Sequence, residues 1–177
     1  MKSFKTLWAL CIVLILTGCS DQADQADPLS PESEAELRIV ERPFKVRGSG
    51  TFELTNGVDS CPGFPLQIAL NGSGNATHVG RYTVDLTWCF NPGSETQPPS
   101  LYIFGTLTAA NGDEIYMETT GQGVGENGEV YETFSFIGGT GRFQDVGGSF
   151  DLYTTTVFGE NCFCGTYSNF GEGSISY

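Results

Sequence analysis

One histidine, six cysteines and a run of acids are the side chains in this 177-residue chain with the most capacity for chemistry. His78, the only imidazole, would need a partner and a pocket to serve as a general base; at the start of a strand pattern it reads as well as a structural group. Gly-x-Ser-x-Gly does not occur, so there is no signature of a serine nucleophile elbow. Asp113, Glu114, Glu118, Glu126, Glu129 and Glu132 offer oxygen atoms to calcium. They lack the spacing of a calcium loop, however, and read as an acidic, solvated face. Paired carboxylates for glycoside hydrolysis meet only in space, and nothing along the chain selects a pair. Arg81 and Arg142 are the only basic residues after Arg47. They read either as an anion site or as guanidinium groups satisfying carbonyls and carboxylates at corners of the chain. The glycine-rich stretch around Arg142 is no phosphate loop, because it lacks the Gly-Lys-Ser/Thr ending and a following helix.

What must position these groups begins with an export signal. Lys2 and Lys5 form a positive start, and Leu7 to Leu16 is an apolar run of ten residues. That run is too short to span a bilayer as a mature helix. It ends in Leu16-Thr17-Gly18-Cys19, which resembles the lipobox of bacterial lipoproteins. The resemblance implies a signal peptide over 1–18 and acylation of Cys19, and two acyl chains suffice for stable anchoring. Residues 19–43 then read as a tether: acidic, carrying Pro28, Pro31 and Pro43, and without aromatic residues. Such a segment cannot offset its ordering entropy, so disorder is expected. Ser20 follows the cysteine where an inner-membrane retention signal would have aspartate, so the expected location is the outer membrane, facing either the periplasm or the outside.

The formal net charge is −13 for the whole chain; without Lys2 and Lys5, six basic residues stand against 21 acids, or −15. That surface repels nucleic acid and anionic headgroups. No nucleic-acid partner, no metal and no cofactor are expected.

Removal of Cys11 and acylation of Cys19 would leave Cys61, Cys89, Cys162 and Cys164. An even number in an exported domain reads as disulfides. A four-thiolate zinc site fits poorly, since Cys-x-Cys is not the usual ligand spacing. Of the three connectivities, pairs crossing from Cys61 and Cys89 to Cys162 and Cys164 are favoured, because they avoid a short ring between Cys162 and Cys164.

From Phe44 to Tyr177 the pattern has period two. Phe44, Val46, Gly48, Gly50, Phe52 and Leu54 share one face of a first strand. Leu66, Ile68 and Leu70 mark a second, with 71–75 (Asn-Gly-Ser-Gly-Asn) as its turn. Tyr82, Val84, Leu86, Trp88 and Phe90 mark a third. Strands are further expected over 101–109, 114–120, 129–137, 149–158 and 166–177, with Asn111-Gly112-Asp113 as a hairpin turn and 121–128 as a loop. Gly138, Gly139, Gly141, Arg142 and Phe143, closed by Gly147-Gly148, form a tight corner between two of these strands. Gly80-Arg81-Tyr82 echoes its Gly141-Arg142-Phe143. About eight regularly spaced strands predict an all-β fold, a sandwich or an antiparallel closed barrel, and a barrel of that size holds side chains or one small ligand.

Three stretches in order are similar to the allene oxide cyclase–dirigent superfamily of small β-barrels, in its bacterial secreted branch. They are 76–82 (Ala-Thr-His-Val-Gly-Arg-Tyr), 109–114 (Ala-Ala-Asn-Gly-Asp-Glu) and 138–143 (Gly-Gly-Thr-Gly-Arg-Phe). The resemblance implies an eight-stranded antiparallel barrel over 44–177 with an apolar lumen. It carries over no active site residue by residue. Dirigent proteins use lumenal aspartates and arginines, which makes Asp85 and Asp151 candidates by type, although strand alternation places both on the non-core face. Together these readings give a lipid-anchored barrel that binds a small apolar molecule or an envelope partner without catalysis. The alternatives are a cyclase, isomerase or dirigent-like protein confining its substrate in the lumen, and a structural or adhesive surface module.

Overall fold

A computed structural model describes residues 40–55 and 60–177; the expected leader, Cys19 and nearly all of the expected tether lie outside the described residues. Eight strands form: β1 (Arg42–Leu54), β2 (Leu66–Ala76), β3 (Gly80–Asn91), β4 (Ser100–Ala109), β5 (Glu114–Val124), β6 (Val130–Gly139), β7 (Gly147–Phe158) and β8 (Cys164–Ser176). Each pairs antiparallel with its sequence neighbour, and β1 pairs with β8, so the sheet closes into a barrel in chain order. Closure leaves no edge strand. Among the described residues no helix is long and apolar enough to cross a membrane.

The period-two pattern becomes inside and outside. On β1, Phe44, Val46 and Phe52 are buried, and the intervening Lys45, Arg47 and Thr51 are exposed or nearly so. The core is aromatic-rich: Phe150 stacks on Phe134 and Phe136 with centroids 5.5 and 5.4 Å apart. Such pairs add to the burial of their area.

The two ends differ. At one, the β2–β3 turn and the β6–β7 connection fold inward. Val79, Phe143 and Val146 from these connections join Phe44 and Ile175 in one core cluster. The glycine corner forms a single 3-10 turn, Gly141–Phe143. Arg142 Nη2 donates to Val79 O at 3.2 Å and its Nε lies 3.8 Å from Asp113 Oδ2, tying three connections together. Gly80 (φ 81°) and Gly141 (φ 55°) both have left-handed backbone, each followed by an arginine and then an inward aromatic ring. The short echo in the sequence is thus one corner device used twice at the closed end. The other end, framed by the connections around residues 60–65, 92–99, 125–129 and 159–163, is the mouth.

Two of the expected connections need correction. Residues 71–75 are not a turn: β2 runs through them to Ala76, Gly72 pairing with Gly50 and Gly74 with Gly48. The turn comes later, at 77–79, where His78 takes φ 68°. The loop expected at 121–128 likewise shortens, because β5 continues to Val124 past two register shifts.

The disulfides join Cys61 to Cys89 and Cys162 to Cys164, not the crossed pairs. Cys89 lies near the end of β3, which is separated from β8 by β2 and β1. Three strand spacings amount to roughly 14 Å, beyond the roughly 7 Å between Cα atoms that a disulfide spans. Cys61 sits instead beside Cys89, Cα atoms 5.4 Å apart, where residues 60–64 cover the outer face of β3 and β4. This bond closes a loop of sequence separation 28. Replacing Cys61 and Cys89 together with serine is expected to cost about 3–4 kcal/mol in the chain-entropy picture. The shift in urea midpoint under non-reducing conditions measures it.

Candidate functional site

The lumen holds a cavity of about 240 Å³. Its walls are of two kinds. β2 to β5 contribute an apolar side, including Leu70, Val84, Trp88, Ile103, Leu107 and Met117. β6 to β8 contribute a polar strip of Glu132, Thr154, Thr156, Tyr167 and Asn169. The strip is contiguous by register, since Thr154 pairs with Asn169 and Thr156 with Tyr167. Glu132 pairs with Leu152, so Thr154 is the next inward position beside it. Thr154 and Thr156 line the cavity and are also exposed, so this side opens to solvent through the mouth.

Room for the strip comes from glycine. Gly48 and Gly50 on β1 face Gly74 and Gly72 on β2, leaving a patch of wall without side chains. A Cβ at Gly48 or Gly74 would strike the Tyr82 hydroxyl, and one at Gly50 or Gly72 the Tyr167 hydroxyl. Two long phenols can therefore lie across this patch only because it is bare. Tyr82 Oη donates to Arg47 O at 3.3 Å. Burial, with Tyr167 nearby, pushes its phenol up to about 12. Among the described residues Tyr167 Oη has no hydrogen-bond partner, although the residue is only 5% exposed, and Asn169 Oδ1 is equally unpartnered.

Glu132 corrects the reading of its acidic run as a solvated face. It lies inward on β6, in phase with the buried Phe134 and Phe136. That alternation was visible in the sequence but was outweighed by the neighbouring acids. The described ion pairs are Lys45–Glu172 and Arg142–Asp113, so no described cation neutralises it. Loss of hydration raises its carboxyl above the usual range, partly opposed by a backbone hydrogen bond. The folded state therefore keeps a proton that the unfolded chain has released. This carboxyl's contribution to stability is present at and below the ordinary glutamate value of about 4.3 and is lost as pH rises through the shifted one. Glu132→Gln should accordingly raise the melting temperature at neutral pH and narrow the gap between neutral and mildly acidic conditions, as read by thermal unfolding across that range. The other titratable groups facing the lumen, Tyr82 and Tyr167, are both raised by burial and are neutral in this window.

The other sequence candidates lie elsewhere. His78 is exposed in the closed-end turn, its ring 6.4 Å from that of Tyr177. Asp85 is exposed on the outer face of β3. Asp151 is on the outer face of β7, where its Oδ1 accepts from Thr133 Oγ1 at 2.7 Å. The structure does not bring these three together. Gly138, Gly139, Gly141, Arg142 and Phe143 belong to the closed-end corner. Among the described residues no group of three or more His, Cys, Asp or Glu is placed to hold a metal ion. Tyr167 and Asn169 were missed because only closure of β8 onto β1 sets them beside the glycine patch.

No protein-family model matches the chain, and no curated protein matches it. Among solved structures it is similar to the pterocarpan synthase dirigent protein GePTS1, at 12% sequence identity and a TM-score of 0.50. The match covers 88% of this chain and 99% of that one. At this identity the likeness establishes a shared dirigent-type barrel fold and nothing further.

Proposed function

We propose that the protein is a lipoprotein, anchored in the bacterial outer membrane through Cys19, whose barrel holds a small and mostly apolar molecule without transforming it. The observation that carries the binding reading is the lumenal cavity of about 240 Å³, apolar on one side, reachable from the mouth and bearing a few polar groups on the other. Concave, largely apolar sites with sparse polar groups are the usual form of small-molecule pockets. The volume lies below the roughly 300–1,000 Å³ of drug-sized sites, so the occupant is small. The anchor reading rests on the lipobox-like 16–19 sequence and the tether composition.

Native mass spectrometry of the full-length protein, released from membranes under non-reducing conditions, tests both parts. A co-purifying small apolar mass, together with acyl mass on an N-terminal Cys19, is the expected result. A chain that keeps Met1 and an unmodified Cys19 would sink the anchor reading, and consistently empty barrels would count against the ligand.

One observation favours the alternative of a confining cyclase or isomerase. Glu132 places a carboxyl with a raised proton affinity in the same lumen as the Tyr167 hydroxyl, a group suited to general acid chemistry. Conversion of a bound molecule, rather than its unchanged release, distinguishes the two.

A further inference from the structure

Charge is divided along the barrel axis. Of the chain's eight lysines and arginines, none lies between residues 48 and 80, 82 and 141, or after 142. The connections around the mouth therefore carry no basic residue, while they include Glu95, Glu126, Glu129 and Glu160. Lys45, Arg47 and Arg81 occupy outward positions on their strands, and Arg142 lies in the closed-end turn. Among the described residues no lysine or arginine lines the lumen. The polar strip inside carries the Glu132 carboxyl and, among the described residues, two oxygens without hydrogen-bond partners, Asn169 Oδ1 and the buried Tyr167 Oη. An apolar lip surrounds the approach, with Leu54 43%, Val124 67%, Val130 58% and Phe158 55% exposed.

Resting on the ligand-binding reading above, we infer that the lumen selects small organic cations: an apolar body against β2 to β5 and a protonated amine against Glu132, Thr154 and Asn169. An ammonium group offers donors and no acceptor, which suits the Glu132 carboxylate and the unpartnered Asn169 Oδ1. Charge-assisted hydrogen bonds to a carboxylate in a partly desolvated site are stronger than neutral ones. An anionic head would meet a like charge with no counterion, and the acidic mouth would slow its approach. The raised proton affinity of Glu132 reflects the same unneutralised burial, which a bound cation would relieve.

The test is calorimetric titration of the full-length protein at neutral pH with three nearly isosteric probes: 2-phenylethylamine, 2-phenylethanol and phenylacetate. The amine should bind at least tenfold more tightly than the alcohol, and phenylacetate more weakly than either. In Glu132→Gln the amine's advantage should collapse to within about threefold, while cooperative thermal unfolding at a melting temperature no lower than that of the parent reports an intact barrel. Equal binding of all three, or a preference for phenylacetate, overturns the cation selectivity and leaves lumenal binding standing. An amine preference that survives in Glu132→Gln overturns the role of that carboxylate. Absence of binding by all three removes the ligand-binding reading and this inference with it.

Discussion

Phe143→Ala is expected to destabilise the barrel by about 3–5 kcal/mol, the range for deleting a fully buried aromatic side chain. Phe143 is fully buried in the core cluster at the closed end. Its ring meets Tyr177 edge-on at 5.3 Å, and the Arg142 guanidinium lies 4.6 Å from its centroid. Removing it opens a void where the β6–β7 connection closes the barrel, and it frees the arginine that ties that connection to Val79 and Asp113. Domains of this size are stable by about 5–15 kcal/mol, so the loss is a large fraction of the whole. Equilibrium unfolding in urea measures it. Val157→Ala, at an exposed position on the outer face of β7, serves as the control and should change stability by no more than about 0.5 kcal/mol. Comparable effects at the two sites would mean that Phe143 does not plug the barrel.

Gly50→Ala should cost about 1–3 kcal/mol, as overpacking does in a filled interior. A Cβ there would collide with the backbone carbonyl of Asn71 and crowd the Tyr167 hydroxyl, so strand β2 itself must shift. Gly72→Ala meets the same hydroxyl, and there the obstacle is partly the far end of a side chain. The pair Gly72→Ala and Tyr167→Phe should therefore be coupled, with the double mutant more stable than the sum of the single losses by about 0.5–3 kcal/mol. Additive losses would indicate that the bare patch serves the backbone alone and that the phenol does not need it. The same cycle separates two readings of residues 71–75, because a glycine needed for a turn would show no dependence on a residue of β8.

These positions show where local sequence suffices and where it does not. Strand alternation placed Phe44 to Leu54 and Tyr82 to Phe90 on their faces, because a period of two is a property of each strand alone. It also put Asp85 and Asp151 outside, and the corner glycines with Arg142 and Phe143 marked a tight connection. Gly72 and Gly74 misled for a definite reason. Glycine is chosen for a left-handed backbone or for space, and only the phenols arriving from β3 and β8 show that space is the need here. The disulfide pairing was equally out of reach, since it depends on how many strands separate the sulfur atoms around the closed sheet.

Composition and strand alternation alone specify an all-β, strongly acidic chain of about eight amphipathic strands, and its first nineteen residues resemble a lipoprotein export signal. That one end is plugged and the other open, and that Glu132, Tyr167 and Asn169 share one polar strip, follows from the closed barrel. Facing is encoded locally by side-chain alternation. Convergence arises from the register of strands far apart in the chain, which no local pattern specifies.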